Sequence, residues 1–90
     1  MKIDWKEIDA QIEQLKETED LRFRIPATFG GGVAIIALNP NFQKSKGEHK
    51  YILKLGNNEE HADQSAPYHT TDKTKILAKW VADRLGDPIN

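Results

Sequence analysis

The fold is decided by residues 21–38, LRFRIPATFGGGVAIIAL. Up to Phe29, apolar side chains alternate with polar ones, and this period of two is typical of a strand with one buried face. Pro26 cannot donate a backbone hydrogen bond, so we expect this strand at a sheet edge or with a bulge. Gly30–Gly32 then offer the positive φ angles that a hairpin turn requires. We therefore predict an antiparallel hairpin with Val33–Leu38 as its second strand.

The second strand of this hairpin is apolar at every position, which favours a central place in the sheet. If helices cover one face, the other face still shows one apolar register, either Val33, Ile35 and Ala37 or Ala34, Ile36 and Leu38. An apolar stripe rimmed by basic side chains is typical of a partner or self-association surface. We take Ala34, Ile36 and Leu38 as the candidate interface. The alternative is that residues 57–71 or the C-terminal tail fold across the stripe.

The remaining elements follow from periodicity and stop signals. Apolar residues at helical spacing predict an amphipathic helix over about 4–18 and another over about 72–85, which Gly86 and Pro88 end. Tyr51–Leu55 reads as a third strand, stopped by Gly56. Residues 57–71 show no periodicity and are predicted to be a long irregular loop, and 87–90 a tail. Trp5 and Trp80 are expected to contribute most to the core.

These elements predict a single α+β domain over residues 1–90. Its order is helix-strand-strand-strand-helix, and short connections favour a three-stranded antiparallel meander with both helices packed on one face. This order resembles the topology of double-stranded-RNA-binding domains, which implies nucleic acid as an alternative partner. The resemblance is one of topology only, because the last helix opens with Lys73, Lys75 and Lys79 and not with that family's Lys-Lys-x-Ala-Lys signature.

Composition narrows the possible functions. The chain has 90 residues, 38% of them hydrophobic and 30% charged, with a net charge of -1 and no cysteine. We therefore expect no disulfide, no thiolate chemistry and no cysteine-based metal site, and a cytoplasmic location. A signal peptide and a membrane span are not expected either, because the longest apolar run is short and the N-terminus is acidic.

The charge is segregated along the chain. Residues 21–56 carry six basic and one acidic side chain, between two acidic neighbours. The basic residues are the candidate binding residues for nucleic acid or another polyanion: Arg22, Arg24, Lys44, Lys46, Lys50 and Lys54.

Catalytic and metal chemistry have little support in the sequence. His61, Asp63, His69 and Asp72 match no established ligand spacing, and Tyr68 with His69 has no visible orienting group. Arg84 lies on the apolar face of the last helix, which is typical of a side chain that snorkels at the core edge. We predict no metal, no cofactor and no enzymatic activity. The leading hypothesis is a small non-catalytic interaction module with a protein partner or with self-association through the open sheet face, and the alternative is polyanion binding.

Overall fold

The predicted hairpin is the centre of the sheet. The structure, a computed structural model, describes residues 4–42 and 47–89. Strands β1 (Asp20–Arg24) and β2 (Val33–Leu38) pair antiparallel, with Phe23 opposite Ala34. Gly30, Gly31 and Gly32 all have positive φ, at 104°, 71° and 85°. This confirms the predicted use of the three glycines, because residues with side chains rarely adopt this conformation.

Strand β1 is shorter than the alternation predicts. A 3₁₀ turn, Ala27–Phe29, follows it, and the Phe29 N–H donates to the Pro26 carbonyl at 2.9 Å. Phe29 is 43% exposed, so the prediction that it points inward is wrong. Pro26 is the cause, because its fixed φ starts a turn and its missing N–H cannot extend the ladder.

The sheet has five strands in the order β4-β3-β2-β1-β5, and all neighbours are antiparallel. Strand β3 is Tyr51–Gly56, β4 is His69–Thr71 and β5 is Asp87–Pro88. The α+β class and the antiparallel sheet are confirmed, but the sheet is not limited to three strands: β1, β2 and β3 are consecutive neighbours, and β4 and β5 extend them to five. The predicted tail at 87–90 supplies an edge strand instead, although Asn90 lies outside the described residues.

The prediction of an irregular loop over 57–71 is also wrong. It contains helix α2 (Glu59–Gln64) and strand β4. The Asn58 side chain caps α2 by accepting a hydrogen bond from the His61 N–H at 2.8 Å. Glu59 and Glu60 lie in the first turn, where negative charge suits the helix dipole. The helix has too few residues to show a helical period in the sequence.

Helices α1 (Trp5–Glu13) and α3 (Thr74–Asp83) pack on one face of the sheet over the main core. Helix α1 ends at Glu13, before the predicted end at residue 18. A separate turn follows, in which the Glu19 N–H donates to the Lys16 carbonyl and the Lys16 N–H donates to the Glu19 side chain. Both tryptophans are only partly buried against this core, which corrects the expectation made for them. The largest fully buried side chains are Phe23, Ile8, Ile12, Ile36, Leu53, Leu77 and Val81.

The opposite face of the sheet, here called the outer face, carries a second and smaller core. Val33, Ile35 and Ala62 are buried there, with Ile89 packed against them. Helix α2 packs so closely on strand β3 that a methyl group added at Gly56 would overlap the Ala62 backbone. The alternative stated above is therefore the observed arrangement: residues from 57–71 and from the C-terminal end fold across the apolar stripe.

Candidate interaction site

The candidate interface residues face inward. Ala34 and Ile36 are fully buried in the main core, and Leu38 packs against it. Helices α1 and α3 therefore cover the register that was expected to be open. Val33 and Ile35 occupy the outer face and are covered by α2. Sequence alone cannot show which set of alternate β2 residues faces the helices, because both sets are apolar.

Arg22, the first candidate binding residue, is saturated by carboxylates of its own chain. Its Nε and Nη2 donate to the two oxygens of Asp20, at 3.0 and 3.1 Å. Its Nη1 and Nη2 donate to Asp63, at 3.1 and 2.7 Å, and Nη1 also donates to Glu59 at 3.2 Å. An arginine side chain has five N–H donors, and all five are used here. Hydrogen bonding to Asp20 and then to Asp63 raises the pKa of the Arg22 guanidinium.

The other described candidate cations have fewer partners than Arg22. Lys54 donates from Nζ to the Asp63 carbonyl at 2.7 Å, at the C-terminal end of α2. Arg24 is exposed on β1, and Lys50 is exposed at the start of β3 with its Nζ 5.4 Å from the Tyr51 ring centroid. Lys44 and Lys46 lie outside the described residues. Arg22, Arg24 and Lys54 thus lie on the outer face by register, and the structure joins Arg22 and Lys54 to α2.

The polar residues of 57–72 are also separated. Asp63 binds Arg22, whereas Asp72 accepts a hydrogen bond from the Lys50 N–H at 2.7 Å and lies 3.3 Å from His49 Nδ1. The Lys50 N–H, and then the His49 ring, lower the pKa of the Asp72 carboxyl. Within residues 4–42 and 47–89, no three His, Asp or Glu side chains are placed to hold a metal ion.

A partly exposed group of aromatic and cationic side chains links helix α3 to the start of β4. The Tyr68 and Trp80 ring centroids are 6.4 Å apart, with the rings inclined at 59°. The Arg84 guanidinium lies 4.1 Å from the Trp80 ring centroid and donates from Nη1 to the Trp80 carbonyl at 3.0 Å. Tyr68 is 64% exposed. Rigid aromatic rings and a planar guanidinium are the groups most enriched at energetic centres of protein interfaces.

This group continues along α3 as a stripe, here called the α3 stripe: Lys73, Ile76, Trp80 and Arg84. Spacings of four residues place Ile76, Trp80 and Arg84 along one side of the helix, and Lys73 precedes its first turn as the N-cap residue. Leu77, Ala78 and Val81 occupy the neighbouring side and are buried. Lys75 and Lys79 point the other way, with their Nζ atoms 5.4 and 4.9 Å from the Trp5 ring centroid.

Beside the α3 stripe, β4 forms one edge of the sheet. The Asn39 N–H donates to the Lys50 carbonyl, on the β2 side of β3, and the Tyr68 N–H donates to the Leu53 carbonyl, on the β4 side. Successive residues of a strand direct their backbone groups to opposite sides, so Tyr51 and Leu53 face β4. Their partners Thr71 and His69 therefore direct their N–H and C=O groups toward β3. Those of Thr70 then point away from the sheet, and no other described residue accepts from or donates to them.

The two edges of the sheet differ chemically. The Ile89 N–H donates to the Arg22 carbonyl at 2.8 Å, so β5 directs Pro88 outward. Proline has no N–H, and it is one of the usual means by which proteins block an edge strand. Strand β4 has no proline and presents both backbone groups of Thr70. Strand β4 is therefore an edge of the sheet that can accept another strand.

Sequence reasoning placed Trp80 in the core and treated Tyr68 as a weak catalytic candidate. One signal could have found this site. The last helix carries Ile76, Leu77, Trp80, Val81, Arg84 and Leu85 on one broad face, which is wider than a single sheet can cover. Ile76 is 45% exposed as a result.

Comparisons of the chain with protein-family models, with curated proteins and with solved structures gave no significant match. None of the helices in the described part of the chain combines the length and the apolar character that crossing a membrane requires.

Proposed function

We propose that this protein is a small non-catalytic interaction module that binds a protein partner through the α3 stripe, Tyr68 and the edge of β4. One observation carries the proposal: the exposed Tyr68 and the half-buried Trp80 and Arg84 lie in contact next to a sheet edge with unused backbone groups. Aromatic and guanidinium groups that are already stacked lose little conformational entropy when a partner covers them.

Polyanion binding through the basic strands is the alternative, and the structure favours it less. All five donors of Arg22 already bind carboxylates, so a phosphate group would have to displace Asp20, Glu59 and Asp63. Lys54 is engaged with α2 as well. Arg24 then remains as an exposed cation with no ion pair to any described residue, whereas such interfaces present several available cations on one face.

Selection of random displayed peptides on the immobilised protein tests the proposed function. We expect enriched peptides whose affinity falls at least tenfold with Trp80→Ala or Tyr68→Ala, because truncation of a central aromatic anchor costs about 2 kcal/mol or more. The matched control is Phe29→Ala, which removes an exposed aromatic ring on the β1–β2 turn and leaves affinity unchanged.

Two outcomes would contradict the proposed function. One is that no peptide is enriched relative to a selection on an unrelated control protein. The other is that every enriched peptide binds the Trp80→Ala, Tyr68→Ala and Phe29→Ala proteins with the affinity of wild type. Amide NMR spectra of each variant, compared with wild type, show whether the fold is retained.

A further inference from the structure

We infer that the partner is an extended, acidic segment of another protein that adds to β4 as a sixth strand and lies against the α3 stripe. This inference rests on the proposed function and names the chemistry of its ligand. It joins three independent features: the free backbone groups of Thr70, the apolar middle of the stripe and the cations at its two ends.

The backbone argument selects an extended ligand. Thr70 presents one N–H and one C=O away from β3, which is the arrangement that a neighbouring strand completes. Strand addition of this kind obtains affinity from main-chain bonds and specificity from alternate side chains. A helical ligand satisfies its own backbone and would leave both groups of Thr70 unused.

The dimensions of the stripe agree with a short strand. Lys73 and Arg84 are eleven residues apart, which corresponds to about 16 Å along a helix. About five residues of extended chain cover the same length. In such a segment alternate side chains face the same way, so about three of them reach the stripe.

The charges select an acidic segment. Lys73 and Arg84 form no ion pair with any acidic side chain in residues 4–42 and 47–89. Arg84 uses Nη1 on the Trp80 carbonyl and stacks on its ring, which leaves Nε and Nη2 for a ligand carboxylate. Ile76, Trp80 and Tyr68 lie between these cations and offer apolar contact. The complementary ligand therefore has carboxylates near its ends and an apolar residue between them.

The same charges argue against a second copy of this chain as the occupant. Two β4 strands pairing antiparallel about Thr70 would bring His69 opposite the Thr71 of the other copy. Both α3 stripes would then lie on the same side of the joined sheet, and the cations of one stripe would find no complementary charge in the other. Like charges brought together at an interface are unfavourable.

The test uses the full chain and a synthetic capped peptide of about eight residues, long enough to cover the stripe, in which every second residue reads glutamate, valine, glutamate and the residues between them are threonine. Two analogues accompany it, one with lysine in place of glutamate and one with N-methyl groups on alternate backbone nitrogens. Affinities are measured by amide NMR titration at low and at physiological salt. We expect the acidic peptide to bind with shifts confined to β4, Tyr68 and α3, and its affinity to fall as salt is added. We expect both analogues to bind at least tenfold more weakly.

Variants of the protein locate the contacts. Thr70→Pro removes the outward N–H without touching a bond to β3, and we expect at least a tenfold loss of affinity. Lys73→Gln and Arg84→Gln each reduce affinity about threefold to tenfold at low salt. Arg24→Gln is the matched control, because it removes an exposed cation from the other end of the sheet, and it leaves affinity unchanged.

Several results would overturn the inference. If the lysine analogue binds with the affinity of the acidic peptide, the charge argument fails. If the N-methylated analogue does so, the strand-pairing argument fails. Dimerisation of wild type that Thr70→Pro abolishes would identify a second copy as the occupant, and Trp80-dependent binding to phosphatidylserine vesicles would identify a lipid surface. If displayed peptides bind in a Trp80-dependent way but are helical or basic, the interaction module stands and the extended acidic ligand is refuted. The peptide arms decide the question even if Thr70→Pro fails to fold.

Discussion

Replacement of Arg22 by methionine tests whether the ion pairs of Arg22 with Glu59 and Asp63 hold α2 on the outer face. Methionine keeps an apolar stem and removes the guanidinium with its five hydrogen bonds. The Arg22 side chain is 24% exposed and its partners Asp20, Glu59 and Asp63 are 33%, 47% and 49% exposed, so water screens each pair. Exposed ion pairs contribute about 0.2–1 kcal/mol each, and the three carboxylates also repel one another once the cation is gone. We expect Arg22→Met to lower the free energy of unfolding by about 1–2 kcal/mol at low salt.

Urea denaturation at low salt and in about 1 M NaCl measures this cost. The screening length falls to about 3 Å in 1 M salt, so we expect the cost to drop by at least half. Arg24→Met is the control, because Arg24 lies on the same strand and the same face and forms no ion pair with the described residues. A surface substitution of this kind changes stability by no more than about 0.5 kcal/mol.

Hydrogen exchange gives the location of the effect. Glu59 and Asp63 are on α2, so loss of their cation should accelerate exchange at the α2 amides more than at those of β2. The reasoning is refuted if Arg22→Met and Arg24→Met cost the same, or if the cost of Arg22→Met is insensitive to salt. Uniform acceleration across the whole sheet would also contradict a local fastening of α2.

Three further predictions concern packing and pH. Gly56→Ala forces a methyl group into the α2 backbone, so we expect a loss of about 1–3 kcal/mol in the free energy of unfolding, measured in urea. Phe23→Ala should cost about 3–5 kcal/mol, against less than about 0.5 kcal/mol for the exposed Phe29→Ala, and equal costs would contradict the assignment of the core. The folded-state pKa of Asp72 is lowered, so its contribution to stability is present above the ordinary value of 3.8 and is lost as the pH falls through the folded-state pKa. The stability difference between wild type and Asp72→Asn should therefore shrink in urea titrations from pH 6 to pH 2, and a difference that stays constant over this range would contradict the reasoning.

The strands could be predicted where a single residue type forces the backbone. Three glycines with positive φ fix the β1–β2 turn, and continuous apolar character makes β2 central. The sequence does not show α2, because a helix as short as Glu59–Gln64 presents only one buried side chain, Ala62. Strands β4 and β5 are equally hidden, since three and two residues are too few for alternation to be visible.

The candidate site was missed for a different reason. Periodicity identifies the apolar face of α3 but not how much of it the sheet covers. Leu77 and Val81 are fully buried, whereas Ile76, one residue earlier than Leu77, is 45% exposed. Coverage depends on where β4 ends and on the position of α1, and both are properties of tertiary packing. The unused backbone groups of Thr70 likewise follow from strand order, which no local pattern encodes.

The basic stretch of residues 21–56 and the acidic stretch that follows it are two parts of one feature. Taken alone, the basic stretch suggests a polyanion surface, and this was the alternative hypothesis. Taken together, the two stretches meet across the sheet, where Arg22 binds Glu59 and Asp63 and Lys54 binds the end of α2. Opposite charge runs joined by a short connection should therefore be tested first as partners of each other. A cation is better evidence for an external ligand when the chain has no carboxylate to offer it, as is the case for Lys73 and Arg84 among the described residues.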